Sequence, residues 1–281
     1  MKFLPFFVYF FALWAVFSCN NNPNSQNPEP HSKNRIASTE NPHSEYPHTA
    51  LDSLIINKKI TVAYLTGQFD PAQDSLFELI DKPYAVRPLY IRKEAGESFK
   101  KMQAAALQEG IKLCINSATR NFAQQKNIWD SKWNSKKPVD GKKLPTVAKL
   151  GGKERVLKIL RWSAMPSTSR HHWGTDIDMN SADPKYWEKG KGLTTFLWLQ
   201  AHAGEYGFCQ TYSDFGESRQ TGYQVEKWHW SYLPLAKNFT VAYPQLISDS
   251  LIATFAFEGA ATAVELQIIK KYVQGINYRC Q

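Results

Sequence analysis

The chain has 281 residues, of which 43% are hydrophobic and 14% aromatic, and a net charge of +9. This length and apolar share suffice to bury a sizeable core, which excludes a fully disordered chain and allows one large domain or two small ones. A basic chain of this size can also bind nucleic acid. The amino-terminal segment, however, predicts a compartment where that partner is rare, so we expect no nucleic acid.

The amino-terminal segment predicts export. An apolar run over residues 3–17 follows Lys2. The run is too short for a membrane span, which needs about 20 residues, but it fits the core of a signal peptide. Cys19 follows the run in a pattern that resembles a bacterial lipobox, whose cysteine is lipidated and becomes the first residue of the mature protein. The alternative is an ordinary signal peptide over residues 1–18. The lipobox predicts a membrane-anchored lipoprotein that faces the periplasm.

Residues 19–50 form a predicted flexible tether. They include five prolines and many asparagines and serines but almost no apolar residues. Such a composition cannot bury enough surface to offset the entropy lost on ordering. The folded domain is therefore predicted over residues 51–281, with a core at about 80–235 and a helical extension over 236–281.

Helices and short strands are both predicted within this domain. The spacing of apolar residues and the positions of Gly and Pro predict them in chain order: a strand or helix start over residues 60–65, a turn at 70–71, a helix over 94–109 ended by Gly110, a strand over 111–116, a helix over 122–133, a long loop over 136–152, a strand over 175–179, a helix over 194–206, strands over 208–212 and 228–232, and helices over 246–257 and 262–273. A regular βαβ rhythm is missing. The sequence therefore predicts an α+β fold with a mostly antiparallel central sheet, flanking helices and extra C-terminal helices.

The cysteines after Cys19 suggest one disulfide bond, because disulfides persist in exported proteins. Cys114, Cys209 and Cys280 are an odd number, so at most one pair forms. Cys114 lies in an apolar stretch and is interpreted as a buried thiol. Cys209 and Cys280 are the predicted pair, since Cys280 ends a tail that needs anchoring.

A basic stretch extends over residues 132–158, with nine Lys or Arg against two acidic residues. One interpretation is a solvated loop. The other is attraction to an anionic polymer such as the cell wall or a lipid surface.

Two clusters carry most of the chemical information, SRHHWGTDID over residues 169–178 and VEKWHWSY over residues 225–232. They offer two imidazoles and a carboxylate with a further glutamate nearby, a set that a hydrolytic zinc site with one open position requires: His171, Asp178, His229 and Glu226. Chemistry alone leaves open whether His171 or His172 is the ligand. Each residue alone has an ordinary explanation, a surface carboxylate or a core histidine, but their joint occurrence favours a metal site.

The spacings within the clusters indicate how the side chains converge. His171 and Asp178 flank Gly174, which suits a loop that turns at the glycine and enters a strand. Glu226 lies three residues before His229, so the two cannot share one face of a regular strand. We therefore expect Glu226 to precede the strand or to lie at a bulge, and to act as a general base.

These motifs resemble those of the VanY-type zinc D-alanyl-D-alanine carboxypeptidases, which share a fold with D-alanyl-D-alanine dipeptidases, lysostaphin-type endopeptidases and hedgehog domains. The family pattern S-x-H-x-x-G-x-A-x-D matches from Ser169 to Asp178 and selects His171 over His172. The pattern E-x-x-H matches at Glu226. A third element, Ser-x-x-Arg followed by a helix with a Gln, matches Ser117, Arg120 and Gln125.

The resemblance implies a function and a role for each matched residue. His171, Asp178 and His229 would bind Zn2+, Glu226 would be the catalytic base, and Arg120 would steady the oxyanion. Substrate binding would involve the remaining matched polar residues, Ser117, Gln125 and Ser169. The implied activity is removal of the terminal D-alanine from peptidoglycan stem peptides by a monomer. The alternatives are an L,D-carboxypeptidase or a peptidoglycan endopeptidase of the same fold, or a non-catalytic cell-wall binding lipoprotein.

Asp176 departs from the family pattern, which has Ala at this position. A second carboxylate there would either support a ligand histidine from outside the metal site or face water.

Overall fold

The structure, a computed structural model, describes residues 60–146 and 149–281. The predicted signal peptide, the predicted tether and Cys19, the predicted lipidation site, lie outside the described residues. Within the described part, none of the helices is both long and apolar enough to cross a membrane.

The described elements are eight α-helices, six strands and short 3-10 or π segments. The α-helices are α1 (Val62–Leu65), α2 (Lys93–Gln108), α3 (Phe122–Trp133), α4 (Gly152–Ile159), α5 (Gly190–His202), α6 (Leu233–Leu246), α7 (Asp249–Ile252) and α8 (Ala263–Leu266). The strands are β1 (Phe77–Ile80), β2 (Leu89–Arg92), β3 (Ile115–Ser117), β4 (Asp176–Met179), β5 (Phe208–Gln210) and β6 (His229–Tyr232). A 3-10 turn, Arg170–Trp173, directly precedes β4.

The central sheet has four strands in the order β3-β4-β6-β5, and every neighbouring pair is antiparallel. A separate antiparallel pair is formed by β1 and β2. Helices pack around these sheets, so the predicted α+β class with a mostly antiparallel sheet is confirmed.

The two faces of the central sheet have opposite character because side chains alternate along each strand. Ile177 and Met179 of β4 point into an apolar cluster formed with Phe99 of α2 and Leu199 of α5. The other face of β4 carries Asp176 and Asp178, which are buried as well. Burying two carboxylates on one face is costly unless each has a partner, so this face is where polar chemistry is concentrated.

Helix α6 and the tail that follows it contribute to a second apolar cluster, which also includes Trp173. Phe239 and Tyr243 of α6 pack on Trp173, with ring centroids 5.8 and 6.2 Å apart. Cys280 forms a disulfide bond with Cys209 and thereby links the end of the chain to β5. Cys114 is free, and it is half-buried rather than buried as the sequence predicted.

Several predicted elements agree with the structure and others do not. The helix over residues 122–133 is confirmed as α3, and the helix over 94–109 is confirmed with its start and end one residue earlier. The helices predicted over 246–257 and 262–273 are wrong in extent. Apart from Leu246, the last residue of α6, only the four residues of α7 and the four of α8 are α-helical there. Gln267 has a φ of +52° and ends α8. The sequence also missed β1, β2, α4 and most of α6.

Candidate active site

A tight turn at Gly174 brings the first two predicted ligands together. The 3-10 turn that carries His171 ends at this glycine, whose φ is +74°. A Cβ at this position would lie 2.4 Å from the Phe77 ring, so both the backbone conformation and the space require glycine. The chain then enters β4, and Nε2 of His171 lies 3.4 Å from Oδ2 of Asp178.

The third predicted ligand lies on the neighbouring strand. His229 of β6 is the register partner of Asp178, and its Nδ1 lies 3.1 Å from Oδ1 of Asp178. The rings of His171 and His229 meet edge to face with centroids 4.8 Å apart. One potential ligand atom from each residue lies within 4.8 Å of the other two, and all three side chains are buried.

Hydrogen bonds orient both imidazoles toward a common point. Nδ1 of His171 lies 2.7 Å from the carbonyl oxygen of Ala118, so it donates there and leaves Nε2 with a free lone pair. That Nε2 is buried and has no hydrogen-bond partner among the described residues. Nε2 of His229 lies 2.9 Å from Oδ2 of Asp176, so Nδ1 of His229 faces Asp178. This donor set, two imidazole nitrogens and a carboxylate with their outer hydrogen bonds in place, fits a divalent cation.

Asp176 lies at the centre of a buried network and does not face water. Its Oδ2 accepts from Nε of Arg170 at 2.9 Å, and its Oδ1 accepts from the Ser231 hydroxyl at 2.7 Å. Arg170 also donates to the Thr240 hydroxyl of α6 at 2.7 Å. Of the two alternatives drawn from the sequence, the structure therefore favours support of a ligand histidine. The network also couples the C-terminal extension to the candidate metal site.

Replacing Asp176 by Asn is expected to weaken metal binding by about 10–100-fold, the usual cost of losing an outer partner of a ligand histidine. The amide no longer offers His229 a charged acceptor, although it can still accept a hydrogen bond from Arg170. Competition with a chromophoric chelator measures the affinity. Thr240→Val is the control, since it disturbs Arg170 without touching His229, and its affinity should stay near that of the parent. Unchanged affinity in Asp176→Asn would contradict this role.

The buried charges shift one another's protonation. Burial opposes the imidazolium form of His229, but the hydrogen bonds to Asp176 and Asp178 outweigh it and raise the pKa of His229 to about 9. Burial and the positive charge of Arg120 lower the pKa of His171. Burial opposes ionisation of Asp178, yet the two histidines hold the pKa of its carboxyl well below the usual value. In the metal-free site, the imidazolium of His229 and the guanidinium of Arg170 therefore together balance the charges of the two aspartates.

Glu226 precedes β6, as the three-residue spacing to His229 predicted. Its backbone N–H donates to the Tyr212 carbonyl at 3.0 Å, which holds the residue beside the strand. Its Oε2 lies 3.8 Å from Nδ1 of His229. Burial is the main reason that the pKa of Glu226 is raised to about 8. A carboxyl group with a pKa near neutrality is suited to accept and return a proton.

A cavity of about 810 Å³ opens onto this group, and the other predicted residues are distributed around it. Arg120, Gln125 and Ser169 line the cavity together with the three potential ligands and Glu226. Ser117 lies on β3 as a register partner of Asp178 and is outside the cavity lining. Its predicted role in substrate binding, like the other assigned roles, stays a prediction.

The wall also contains residues outside the predicted set of metal-binding, catalytic and substrate-binding residues. Trp162 and Trp228 stack with ring centroids 6.0 Å apart, and both line the cavity. Lys132 lines it from α3. Apart from its place at the start of the basic stretch, its signal in the sequence was its position seven residues after Gln125, which places both on one face of a helix.

His172 lies outside the group of potential ligands. Its Nδ1 lies 2.6 Å from the carbonyl oxygen of Arg120, and a Cβ on Gly67 would lie 2.3 Å from the same Nδ1, so the ring packs against that glycine. The backbone N–H of Arg120 in turn donates to the carbonyl of His171 at 3.0 Å. His172 therefore fixes the segment that presents Arg120 to the cavity.

Comparison with known protein families agrees with this geometry. A family model described as VanY: D-alanyl-D-alanine carboxypeptidase matches residues 88–235, which is more than half of the chain. The chain belongs to this family. The matched part of this VanY family member contains β3, β4, β6 and every predicted site residue except two cysteines, Cys19 and Cys280.

Individual relatives are more distant. The putative carboxypeptidase YodJ of Bacillus subtilis (strain 168) is 29% identical over 185 residues, which are 64% of this chain and 59% of the relative. An uncharacterized protein of Haemophilus influenzae is 31% identical over 78 residues, 27% of this chain and 53% of that protein. The chain thus spans between half and two thirds of the length of these curated relatives.

Among solved structures, a vancomycin resistance D,D-pentapeptidase VanY from a VanB-type cassette, in complex with Zn(II), is 23% identical. That match covers 59% of this chain and 85% of the other, with a TM-score of 0.43. The LdcB LD-carboxypeptidase is 22% identical, with 74% of this chain and 78% of the other covered and a TM-score of 0.44.

Proposed function

We propose that this VanY family member is a zinc-dependent carboxypeptidase that removes the C-terminal D-alanine from peptidoglycan stem peptides. The observation that carries the proposal is the buried group of His171, Asp178 and His229 beside Glu226 on the wall of one cavity. The family description and the Zn(II) complex of the VanY neighbour support the choice of reaction and of metal.

Zinc would be held by His171, Asp178 and His229. When bound there, a zinc ion supplies positive charge that polarises a carbonyl group and makes a water molecule more acidic. The Asp178 carboxylate would offset part of the ion's charge. The two imidazoles are already held in orientation by hydrogen bonds to the Ala118 carbonyl and to Asp176.

Glu226 and Arg120 supply the remaining chemistry. The Glu226 carboxylate takes a proton from the attacking water and later gives it to the leaving amine. Arg120 lines the same cavity, and its Nε is buried without a hydrogen-bond partner among the described residues. Its guanidinium is therefore free to donate to the carbonyl oxygen as negative charge develops there.

A second class of function, a non-catalytic cell-wall binding protein, has no use for a buried glutamate next to the metal ligands. Burying this carboxyl costs stability, and the pKa raised to about 8 reflects that cost. The intact Glu226 therefore favours the enzyme.

The export that the amino-terminal sequence predicts is consistent with the proposed substrate, since peptidoglycan lies outside the cytoplasm. We propose that Cys19 is lipidated and that residues 19–50 tether the domain to a membrane on the periplasmic side. The basic stretch over residues 132–158 would favour approach to an anionic polymer.

Digestion of purified muropeptides by the zinc-loaded chain tests the proposal. A pentapeptide stem should lose one D-alanine, as read from product masses, and casein should stay intact. Cleavage of tetrapeptides alone would instead indicate an L,D-carboxypeptidase, and cleavage inside the stem an endopeptidase. Inertness toward every muropeptide would support the binding protein.

Zinc binding is expected to release protons at neutral pH. The pKa of His229 is raised to about 9 in the metal-free chain, so its Nδ1 must lose a proton before it can bind zinc. The apparent affinity should therefore rise with pH and level off above about pH 9, where His229 is already neutral. Calorimetry in two buffers with different ionisation enthalpies counts the protons. Zinc binding at neutral pH without proton release would contradict the charge assignment of His229.

A further inference from the structure

A lysine in the cavity wall has no role in the proposed reaction. Lys132 lies on α3, on the same face as Gln125 and Ile128, and all three line the cavity. Its Nζ donates to the Ser163 hydroxyl at 2.5 Å. Within the described ranges, no carboxylate oxygen lies within 4.0 Å of this ammonium group.

This arrangement differs from that of other cations in the chain. The buried Arg170 is paired with Asp176, and Lys126, one and a half helical turns earlier on α3, is paired with Asp130. Lys132 is mostly buried, and burial lowers its pKa. An ammonium group has three donors, and a largely desolvated one with a single neutral partner is unfavourable until an anion supplies the missing charge.

The position of Lys132 relates it to the reacting groups. The positive charges of Arg120 and Lys132 both act to lower the pKa of Glu226, so both lie within electrostatic range of that carboxyl. Ser163, the partner of Lys132, is next to Ala164, whose carbonyl accepts from Gln125 at 2.8 Å. One wall of the cavity thus holds two cations. In the proposed reaction, Arg120 would contact the oxyanion, and Lys132 would not.

We propose that Lys132 binds the free C-terminal carboxylate of the peptide and thereby makes the enzyme select chain ends. This inference rests on the proposed carboxypeptidase function and specifies how its substrate is recognised. A peptide bond inside a chain has no carboxylate on the residue after the bond, whereas a terminal residue does. The Lys132 ammonium would exchange its incomplete solvation for an ion pair only with the second kind of substrate.

The test uses a short N-acetylated peptide that ends in D-alanyl-D-alanine and has no other carboxylate. It is prepared as the free acid and as the C-terminal amide, so a side-chain carboxylate cannot stand in for the terminal one. The proteins are the zinc-loaded parent, Lys132→Met, Lys132→Arg and Lys126→Met. The last is the matched control, because it removes a half-buried lysine of the same helix that is paired with Asp130 and lies outside the cavity lining.

In hydrolysis, Lys132→Met should lower kcat/KM for the acid by about 30- to 1,000-fold, mainly through KM, and leave the amide rate nearly unchanged. Lys132→Arg should recover part of the loss, and Lys126→Met should behave like the parent. An equal loss for acid and amide would show that Lys132 supports the fold or the metal centre, and would overturn the inference.

A binding measurement keeps the inference independent of turnover. Calorimetry with the zinc-loaded Glu226→Gln protein should show tighter binding of the acid than of the amide, and adding Lys132→Met should remove the difference. The inference would be overturned if the double variant still bound the acid more tightly than the amide. It would also be overturned if Glu226→Gln bound the two peptides equally well. Failure of the parent to hydrolyse the acid, with the binding preference intact, would count against the proposed function alone.

Discussion

Glu226→Gln is expected to lower turnover on a pentapeptide stem by about 10²–10⁴, the usual contribution of a positioned acid-base group. Gln keeps the shape of the side chain but cannot accept a proton from the attacking water. Glu226 lies outside the ligand group of His171, Asp178 and His229, so zinc content should stay at about one ion per chain. Turnover is measured as D-alanine release, and zinc by elemental analysis of the dialysed protein.

Glu188→Gln is the matched control, since Glu188 lines the same cavity and undergoes the same chemical change. Its turnover should remain close to that of the parent. If Glu226→Gln hydrolyses the stem at the parent rate, the base is another group and the proposed mechanism is wrong. A loss of zinc from Glu226→Gln would instead show that this carboxylate belongs to the metal centre.

His171→Asn is expected to abolish stoichiometric zinc binding, whereas His172→Asn should retain it. Both imidazoles have Nδ1 within hydrogen-bonding distance of a backbone carbonyl, Ala118 for the first and Arg120 for the second. The Asn amide can preserve either hydrogen bond, because its nitrogen occupies about the position of Nδ1. Only the first change removes Nε2 from the potential ligand group.

The comparison therefore separates a ligand from a buried histidine with the same local hydrogen bond. Zinc stoichiometry is read together with the thermal transition of each metal-free protein, so that unfolding is recognised. Equal retention in both variants, or equal loss from two folded variants, would refute the assignment of His171.

The candidate ligands could be predicted because their relation is largely local. Gly174 lies between His171 and Asp178, and a turn that only glycine permits makes their convergence readable from the sequence. Glu226 and His229 are also close in sequence, and their spacing correctly placed the glutamate before the strand. The helix over residues 122–133 was equally local, since Asn121 caps it and its buried residues Gln125, Trp129 and Trp133 are spaced four apart.

The remaining features depend on long-range contacts that spacing does not encode. The role of Asp176 depends on Arg170, on Ser231 of the paired strand and on Thr240 of α6. Strands β1 and β2 are four residues each and alternate too weakly to be recognised without their partner. The indole N–H of Trp129 on α3 donates to the carbonyl of Glu258 in the tail at 2.8 Å. Such contacts hold residues 253–259 in a loop, although the sequence alone predicted a helix through residue 257.

The most direct test of the account is a zinc titration of the metal-free chain with D-alanine release from a pentapeptide stem as the readout. The account predicts no release without metal, a linear rise on adding zinc, and a plateau at about one equivalent per chain, the stoichiometry of a single site with three protein ligands. Full D-alanine release from the metal-free chain would contradict it. So would a chain that binds one zinc tightly and still releases no D-alanine.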